Sequence, residues 1–266
     1  MCEIFCFNSD KPKQVNQCLE CFYNHSDEHP HGWGLANMQS EDSVISKEPV
    51  KASCSQNLKN ILSNPVVGKN VFAHIRLATV GEIISPNCHP FIEADDNNRS
   101  WMLIHNGTIF DYPELDKYID RENGDTDSER ILLFIIDKIN EFEQDKGAPS
   151  TIKERFAILT DIVNDLSKNN KLNLMIYDGD LTYIHSNMRD SLYYLNNDDG
   201  FLVASTPLDD DENWKPVELN KLFGLIDGNI VFESEEHVNE FILTEEHINK
   251  IEEHLKTMNP VERNDE

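Results

Sequence analysis

Cys2-Glu3-Ile4-Phe5-Cys6-Phe7 carries apolar side chains on both faces of an extended chain, and its reading decides the fold. A strand apolar on both faces has to be buried between two layers. The segment therefore predicts a central strand with structure above and below it. It also stands directly behind Met1. Aminopeptidases remove an initiator methionine when the next side chain is small, as cysteine is, and the chain then begins with a residue bearing both a thiol and a free α-amine. Such an amine has a pKa of about 8 and a free thiol one of about 8.5. One residue can thus supply a nucleophile and its own general base. The plainer reading is a core cysteine of a first strand, since free cysteine is among the most buried residue types.

Working outward, 13–23 reads as a short helix, 24–31 as a polar, His-rich loop, 32–38 and 44–47 as strands and 56–62 as a helix. Residues 71–77 and 101–105 read as strands. The clearest helix is 127–142, where Ile131, Leu132, Ile135, Ile139 and Phe142 recur at helical spacing. A polar loop at 143–150 precedes a second helix at 152–166. Strand pairs then follow: 172–177 with 181–185, 191–195 with 201–205, and 223–226 with 230–233. Asp178-Gly179 and Asp227-Gly228 supply hairpin turn signals for the first and third pairs. A last helix at 245–258 runs into a polar tail, with fraying expected over 254–266. Strands, two adjacent helices and more strands predict two sheets with helices outside them, an α+β arrangement. No internal repeat or linker divides the chain, so 1–266 is read as one domain.

The chain has 266 residues and a formal net charge of −26. That charge argues against a nucleic-acid or anionic-membrane partner, which needs clustered Lys and Arg. No apolar stretch approaches the ~18–20 residues of a membrane span. Six unevenly spaced cysteines do not form a disulfide framework, and a reducing cytoplasm is expected.

Four short segments carry chemistry. In Val71-Phe72-Ala73-His74-Ile75-Arg76-Leu77, alternation puts Phe72, His74 and Arg76 on one face. Arg76 is then either a bidentate carboxylate clamp or an arginine reaching solvent from a strand end. Asn106-Gly107 is a turn signal, and equally a way to aim a side-chain amide and a backbone N–H at a developing oxyanion. Thr126 with Glu129 fits a capping box, and Asp127 suits the helix dipole, although a carboxylate held there can also receive an ammonium group. Cys18-x2-Cys21 with His25, His29 and His31 has zinc-like spacing. Its two cysteines fall within an amphipathic helix, where small buried cysteines are common, and no metal is assigned.

Together these segments resemble the class II glutamine amidotransferases, which are N-terminal-nucleophile hydrolases. The resemblance rests on Cys2, His29-Pro30-His31-Gly32-Trp33-Gly34-Leu35-Ala36, Ala73-His74-Ile75-Arg76-Leu77-Ala78-Thr79-Val80-Gly81, Asn87-Cys88-His89-Pro90-Phe91, His105-Asn106-Gly107-Thr108-Ile109 and Asp125-Thr126-Asp127-Ser128-Glu129. It spans about 2–210, including Val203-Ala204-Ser205-Thr206-Pro207. It implies a four-layer αββα sandwich with Cys2 opening a central strand. It further implies Cys2 as nucleophile with its α-amine as base, and Asn106 and Gly107 as the oxyanion hole. Arg76 is implied to bind the α-carboxylate of glutamine or a γ-glutamyl group, and Asp127 its α-ammonium. No metal or organic cofactor is implied.

Two departures stand out. His31 occupies a place that in the family usually holds an acidic residue, and Leu77 and Val80 replace a tryptophan and histidine common in synthase-fused members. The pattern is more similar to the stand-alone branch, which includes the amidohydrolase of ergothioneine biosynthesis and the amidotransferase-like subunit of the fungal glutathione-degrading complex. The expectation is a stand-alone amidohydrolase acting on glutamine or a γ-glutamyl amide. The alternatives are a glutaminase subunit passing ammonia to a separate synthase partner, and a catalytically silent binding or regulatory domain of the same fold.

Overall fold

A computed structural model describes residues 2–38 and 43–258. Its first half contains β1 (Glu3–Gln14), α1 (Asn16–Asn24), β2 (Trp33–Met38), β3 (Val44–Glu48), α2 (Gln56–Leu62), β4 (Val67–Ile75), β5 (Phe91–Ala94) and β6 (Ser100–Thr108). Then follow α3 (Asp127–Lys146), α4 (Ile152–Leu166), β7 (Lys171–Tyr177), β8 (Thr182–Ser186), β9 (Tyr193–Asn197), β10 (Gly200–Ala204), β11 (Lys215–Pro216), β12 (Lys221–Ile226), β13 (Asn229–Glu233) and α5 (Glu245–Met258). All strand pairing is antiparallel, in a seven-stranded sheet ordered β11-β9-β10-β1-β4-β2-β3 and a six-stranded one ordered β13-β12-β8-β7-β6-β5.

The alternation of β1 makes the layers. Phe5 and Phe7 face outward with Val71, Ala73 and Ile75 of β4, against Leu19 and Phe22 of α1 and Leu58 of α2. Ile4 and Cys6 face inward with Phe72, meeting Met102 and Ile104 of β6, Met175 of β7 and Ile184 of β8. On the far face of the second sheet, Trp101, Leu103, Leu174 and Ile176 pack against Ile131 and Ile135 of α3 and Leu159 and Leu166 of α4. Three apolar seams join four layers, the expected αββα sandwich. Each fully buried side chain of this size contributes about 1.5–3 kcal/mol. Among the described residues, no helix is long and apolar enough to cross a membrane.

Several sequence expectations are corrected. Helix α1 starts at Asn16 rather than near Lys13, because β1 continues past a bulge to pair Lys13 with Gly68 and Gln14 with Val67. Helix α3 runs through 143–146, which had been read as loop. Its real terminator is Gly147, whose left-handed φ of 70° lets its N–H cap the carbonyl of Glu143 at 2.9 Å. Asn106-Gly107 is not a turn: β6 continues, pairing Asn106 with Asn173 and Gly107 with Leu172. The two Asp-Gly sites also differ. At 227–228 both residues have positive φ, 51° and 76°, in the two-residue turn expected. At 178–181 the link is a four-residue loop, in which the Asp178 carboxylate accepts the N–H groups of Asp180 and Leu181. Strand β5 and the short 3-10 turn at His25–Glu28 were not anticipated. The tail beyond Met258 lies outside the described residues, as does Met1.

Gly34 shows how tightly the first sheet is packed near β5. A Cβ there would lie 1.7 Å from the carbonyl oxygen of His89, a backbone atom that cannot swing away. Gly34→Ala is expected to cost about 3 kcal/mol through overpacking, read as a lowered urea midpoint with an unchanged slope.

Candidate active site

The site is built where β1 begins and β4 ends. Pairing of Glu3 with Ile75 sets Cys2 beside the chain that leaves β4. There the Cys2 Sγ lies 3.3 Å from the Leu77 carbonyl oxygen and 3.4 Å from the Leu77 nitrogen, so one backbone unit both accepts from the thiol and donates to it. Burial pushes the thiol pKa up; the Leu77 hydrogen bond and the charges of Arg76 and Lys171 work against that rise.

Arg76 does not reach solvent. It is 2% exposed, and its guanidinium donates to the carbonyls of Glu82 (2.8 Å), Val80 (2.9 Å) and Gly81 (3.2 Å). The guanidinium thereby shapes the loop that follows it. With five N–H groups it retains capacity for a carboxylate. His31 faces the same loop: its Nδ1 accepts the Ala78 N–H at 2.9 Å. Burial and the Arg76 charge hold its pKa below the ordinary value, so the imidazole is a neutral acceptor.

Asn87 joins this loop to the start of α3. Its Nδ2 donates to the Glu82 carbonyl at 2.9 Å and to the Asp125 carboxylate, while its Oδ1 accepts the Asp125 N–H at 2.9 Å. The residue is fully buried.

Across the sandwich, Asn106 is 4% exposed and its amide is held at both ends. Its Oδ1 accepts from Lys171 Nζ at 2.9 Å, and its Nδ2 donates to Ser205 Oγ at 3.2 Å. Ser205 in turn accepts the Ile4 N–H at 3.0 Å, two residues from Cys2. Gly107 is oriented by its ladder. The Leu172 N–H is taken by Asn187 Oδ1 at 2.8 Å and so points away from β6. In an antiparallel ladder the Gly107–Leu172 pair is then the non-hydrogen-bonded kind, and the Gly107 N–H points to the opposite edge. That edge is free of β5, whose pairing ends at Leu103. Two residues on, the Ile109 N–H points the same way and is received by Asp127 Oδ2 at 2.8 Å.

Asp127 is 8% exposed at the start of α3, and its second oxygen accepts from Ser128 Oγ at 3.2 Å. Ser128 also meets His105 Nδ1 at 3.0 Å. Burial lowers the His105 pKa, opposed by the Asp127 charge. The expected capping box is only half formed. Thr126 accepts the Glu129 N–H at 3.3 Å, but the Glu129 carboxylate turns to the N–H groups of Asn123 and Gly124. Of the zinc-like set, His25 pairs with Glu3 at 2.8 Å, His29 Nδ1 bonds the His25 carbonyl at 2.9 Å, and Cys18 packs against the outer core.

Cys2 thus lies within electrostatic reach of Arg76 and of Lys171, which holds Asn106, and Asp127 binds the chain two residues beyond Gly107. Sequence reasoning gave no role to Asn87, Lys171 or Ser205. Asn87 and Ser205 lay inside quoted motifs. Lys171 gave no signal, because a lysine after Asn169-Asn170 reads as loop.

Residues 1–201 match the family described as glutamine amidotransferases class-II. An uncharacterized protein of Methanocaldococcus jannaschii is 28% identical over 264 residues, covering 87% of this chain and 71% of its own. The gamma-glutamyl-hercynylcysteine sulfoxide hydrolase of Mycolicibacterium smegmatis is 27% identical over 162 residues, 60% of this chain and 62% of that one. Among solved structures, the glutamine phosphoribosylpyrophosphate amidotransferase of B. subtilis superposes with a TM-score of 0.62 at 18% identity, covering 88% of this chain and 49% of that one. At that identity the likeness concerns the fold.

Replacing Asn87 by alanine strands the Asp125 N–H, while the Glu82 carbonyl keeps its bond from Arg76. At about 1–3 kcal/mol for one stranded buried group, Asn87→Ala is expected to lower stability by about 1–3 kcal/mol in denaturant titration.

Proposed function

The chain belongs to the class II glutamine amidotransferases, and on that premise we propose that it is a stand-alone amidohydrolase cleaving the γ-amide of glutamine or a γ-glutamyl compound through a thioester on Cys2. One observation carries the reading: the Cys2 thiol is gripped by Leu77 beside two cationic side chains, Arg76 and Lys171, at the end of the sandwich where Asn106 and Gly107 present N–H donors. The gamma-glutamyl hydrolase relative supports a γ-glutamyl substrate.

The mechanism follows from those positions. With Met1 removed, the α-amine of Cys2 takes the thiol proton, and the thiolate attacks the γ-carbonyl carbon. The carbonyl oxygen becomes an oxyanion received by Asn106 Nδ2 and the Gly107 N–H. Collapse breaks the C–N bond, and the α-ammonium returns its proton to the departing amine. Water, deprotonated by the same α-amine, then attacks the thioester and releases glutamate with the thiol restored. Arg76 holds the α-carboxylate and Asp127 the α-ammonium, so binding the amino-acid head fixes the reacting carbon beside sulfur. This chemistry uses no metal or organic cofactor, and it suits a reducing cytoplasm in which the thiol stays free.

Intact mass should show loss of Met1, and the purified chain alone should release glutamate from glutamine or from members of a panel of γ-glutamyl amides. Cys2→Ala should lower kcat by about 10⁴-fold or more, and turnover at the wild-type rate would rule out the nucleophile assignment. Asp127→Asn removes a charge-assisted contact to the substrate ammonium and should raise KM about 10–100-fold. Glutamate release that begins only when a synthase protein is added would favour the ammonia-donating alternative.

A further inference from the structure

Lys171 is a lysine with 2% exposure at the first position of a central strand. A buried ammonium costs several kcal/mol in desolvation, so its presence calls for an interaction that an apolar residue could not make. One such interaction is with the Asn106 side-chain oxygen, at 2.9 Å.

We propose that Lys171 is the positioning residue of the oxyanion site, locking the Asn106 amide in the orientation that turns Nδ2 toward the start of β1. The inference rests on the amidohydrolase reading given above. The two ends of the amide are not held equally. Ser205 Oγ, which Nδ2 meets, is a hydroxyl that can donate or accept and would tolerate a flipped amide by rotating its proton. An ammonium has three donors and no acceptor. A flip would set the amide N–H groups against the ammonium hydrogens, so Lys171 alone makes the orientation obligatory. One Nδ2 hydrogen then satisfies Ser205 and the other is left for the substrate oxygen. The charge also lies where negative charge develops: Lys171 and the Cys2 thiol interact electrostatically, which favours thiolate and oxyanion alike.

Burial pushes the Lys171 pKa down to about 8, and the Cys2 thiol opposes that fall. Among the described residues His105 also faces it: its Nε2 lies 3.2 Å from the Lys171 carbonyl oxygen, and the lysine charge lowers the histidine's own pKa. The protonated form is the one that locks the amide, because a neutral amine gains a lone pair and can face either end of it. Locking is therefore complete well below about pH 8 and is lost as pH rises through that value.

The test compares Lys171→Met, Lys171→Gln, Asn106→Ala and Lys171→Met/Asn106→Ala in the processed full-length chain, with Tm recorded for each. Lys171→Met should lower kcat about 10²-fold, the scale of losing one oxyanion donor, with KM changed less than about threefold. Lys171→Gln, whose amide can donate to the Asn106 oxygen but can also accept from a flipped amide, should recover only part of that loss, up to about tenfold, and lack the alkaline fall in kcat near pH 8. In the Asn106→Ala background, Lys171→Met should cost less than about twofold more, since coupled residues are non-additive. An unchanged kcat in Lys171→Met, a fully additive double variant, equal losses in the two lysine variants tracking a drop in Tm, or an alkaline limb unaltered in Lys171→Gln would each overturn the positioning role. Those results leave the amidohydrolase reading standing, whereas a wild-type chain inert toward every γ-glutamyl amide overturns both.

Discussion

The pairing of β1 with β4 on one side and β10 on the other is the constraint on which everything else depends. Phe5 lies opposite Ala73 and Ala204, and Glu3 opposite Ile75. Because both faces of β1 are buried, a slip of one residue would send Ile4 and Cys6 into the helical seam and Phe5 and Phe7 between the sheets. The register is therefore fixed by packing over the whole strand. Cys2, which precedes the first paired residue, inherits a fixed address beside Leu77 without needing a tight hold of its own.

Around that address Arg76, Asn87 and Asn106 are buried and hydrogen-bonded, whereas the ring nitrogens of the buried His74 and His89 make no hydrogen bond among the described residues. Asn87 closes the Arg76 loop onto Asp125, Arg76 gathers three carbonyls of the same loop, and Lys171 and Ser205 hold Asn106. Buried polar groups left unmatched are costly, so each bond here also selects one orientation of the group it holds. On the proposed reading these donors are preoriented, which is the condition for electrostatic stabilisation of a developing charge.

The charge distribution has two scales. The chain as a whole carries −26, yet two buried cations, Arg76 and Lys171, act on the Cys2 thiol. An acidic exterior favours solubility and repels polyanions, while the two buried cations oppose the rise that burial imposes on the pKa of one thiol. The two do not conflict, since exposed charges are screened over about 10 Å and buried ones far less.

Local pattern was enough for much of this. The two-faced run at 2–7, the amphipathic helices α3 and α4, the Asp-Gly turn at 227–228 and the face shared by Phe72, His74 and Arg76 all follow from side-chain periodicity and turn chemistry, which are properties of neighbouring residues. The ordered motifs also pointed to the family that residues 1–201 match. Other features depended on distant partners. Asn106-Gly107 obeys its strand rather than its turn preference because β7 pairs with it. Glu129 leaves its capping role because Asn123 and Gly124 lie closer to hand. Asn87, Ser205 and above all Lys171 look ordinary in the sequence, and acquire their positions only when chain segments tens of residues apart are folded against one another. The sequence by itself determined the family and the candidate residues; the tertiary structure decided which way each of them points, because orientation is set by contacts that local periodicity does not encode.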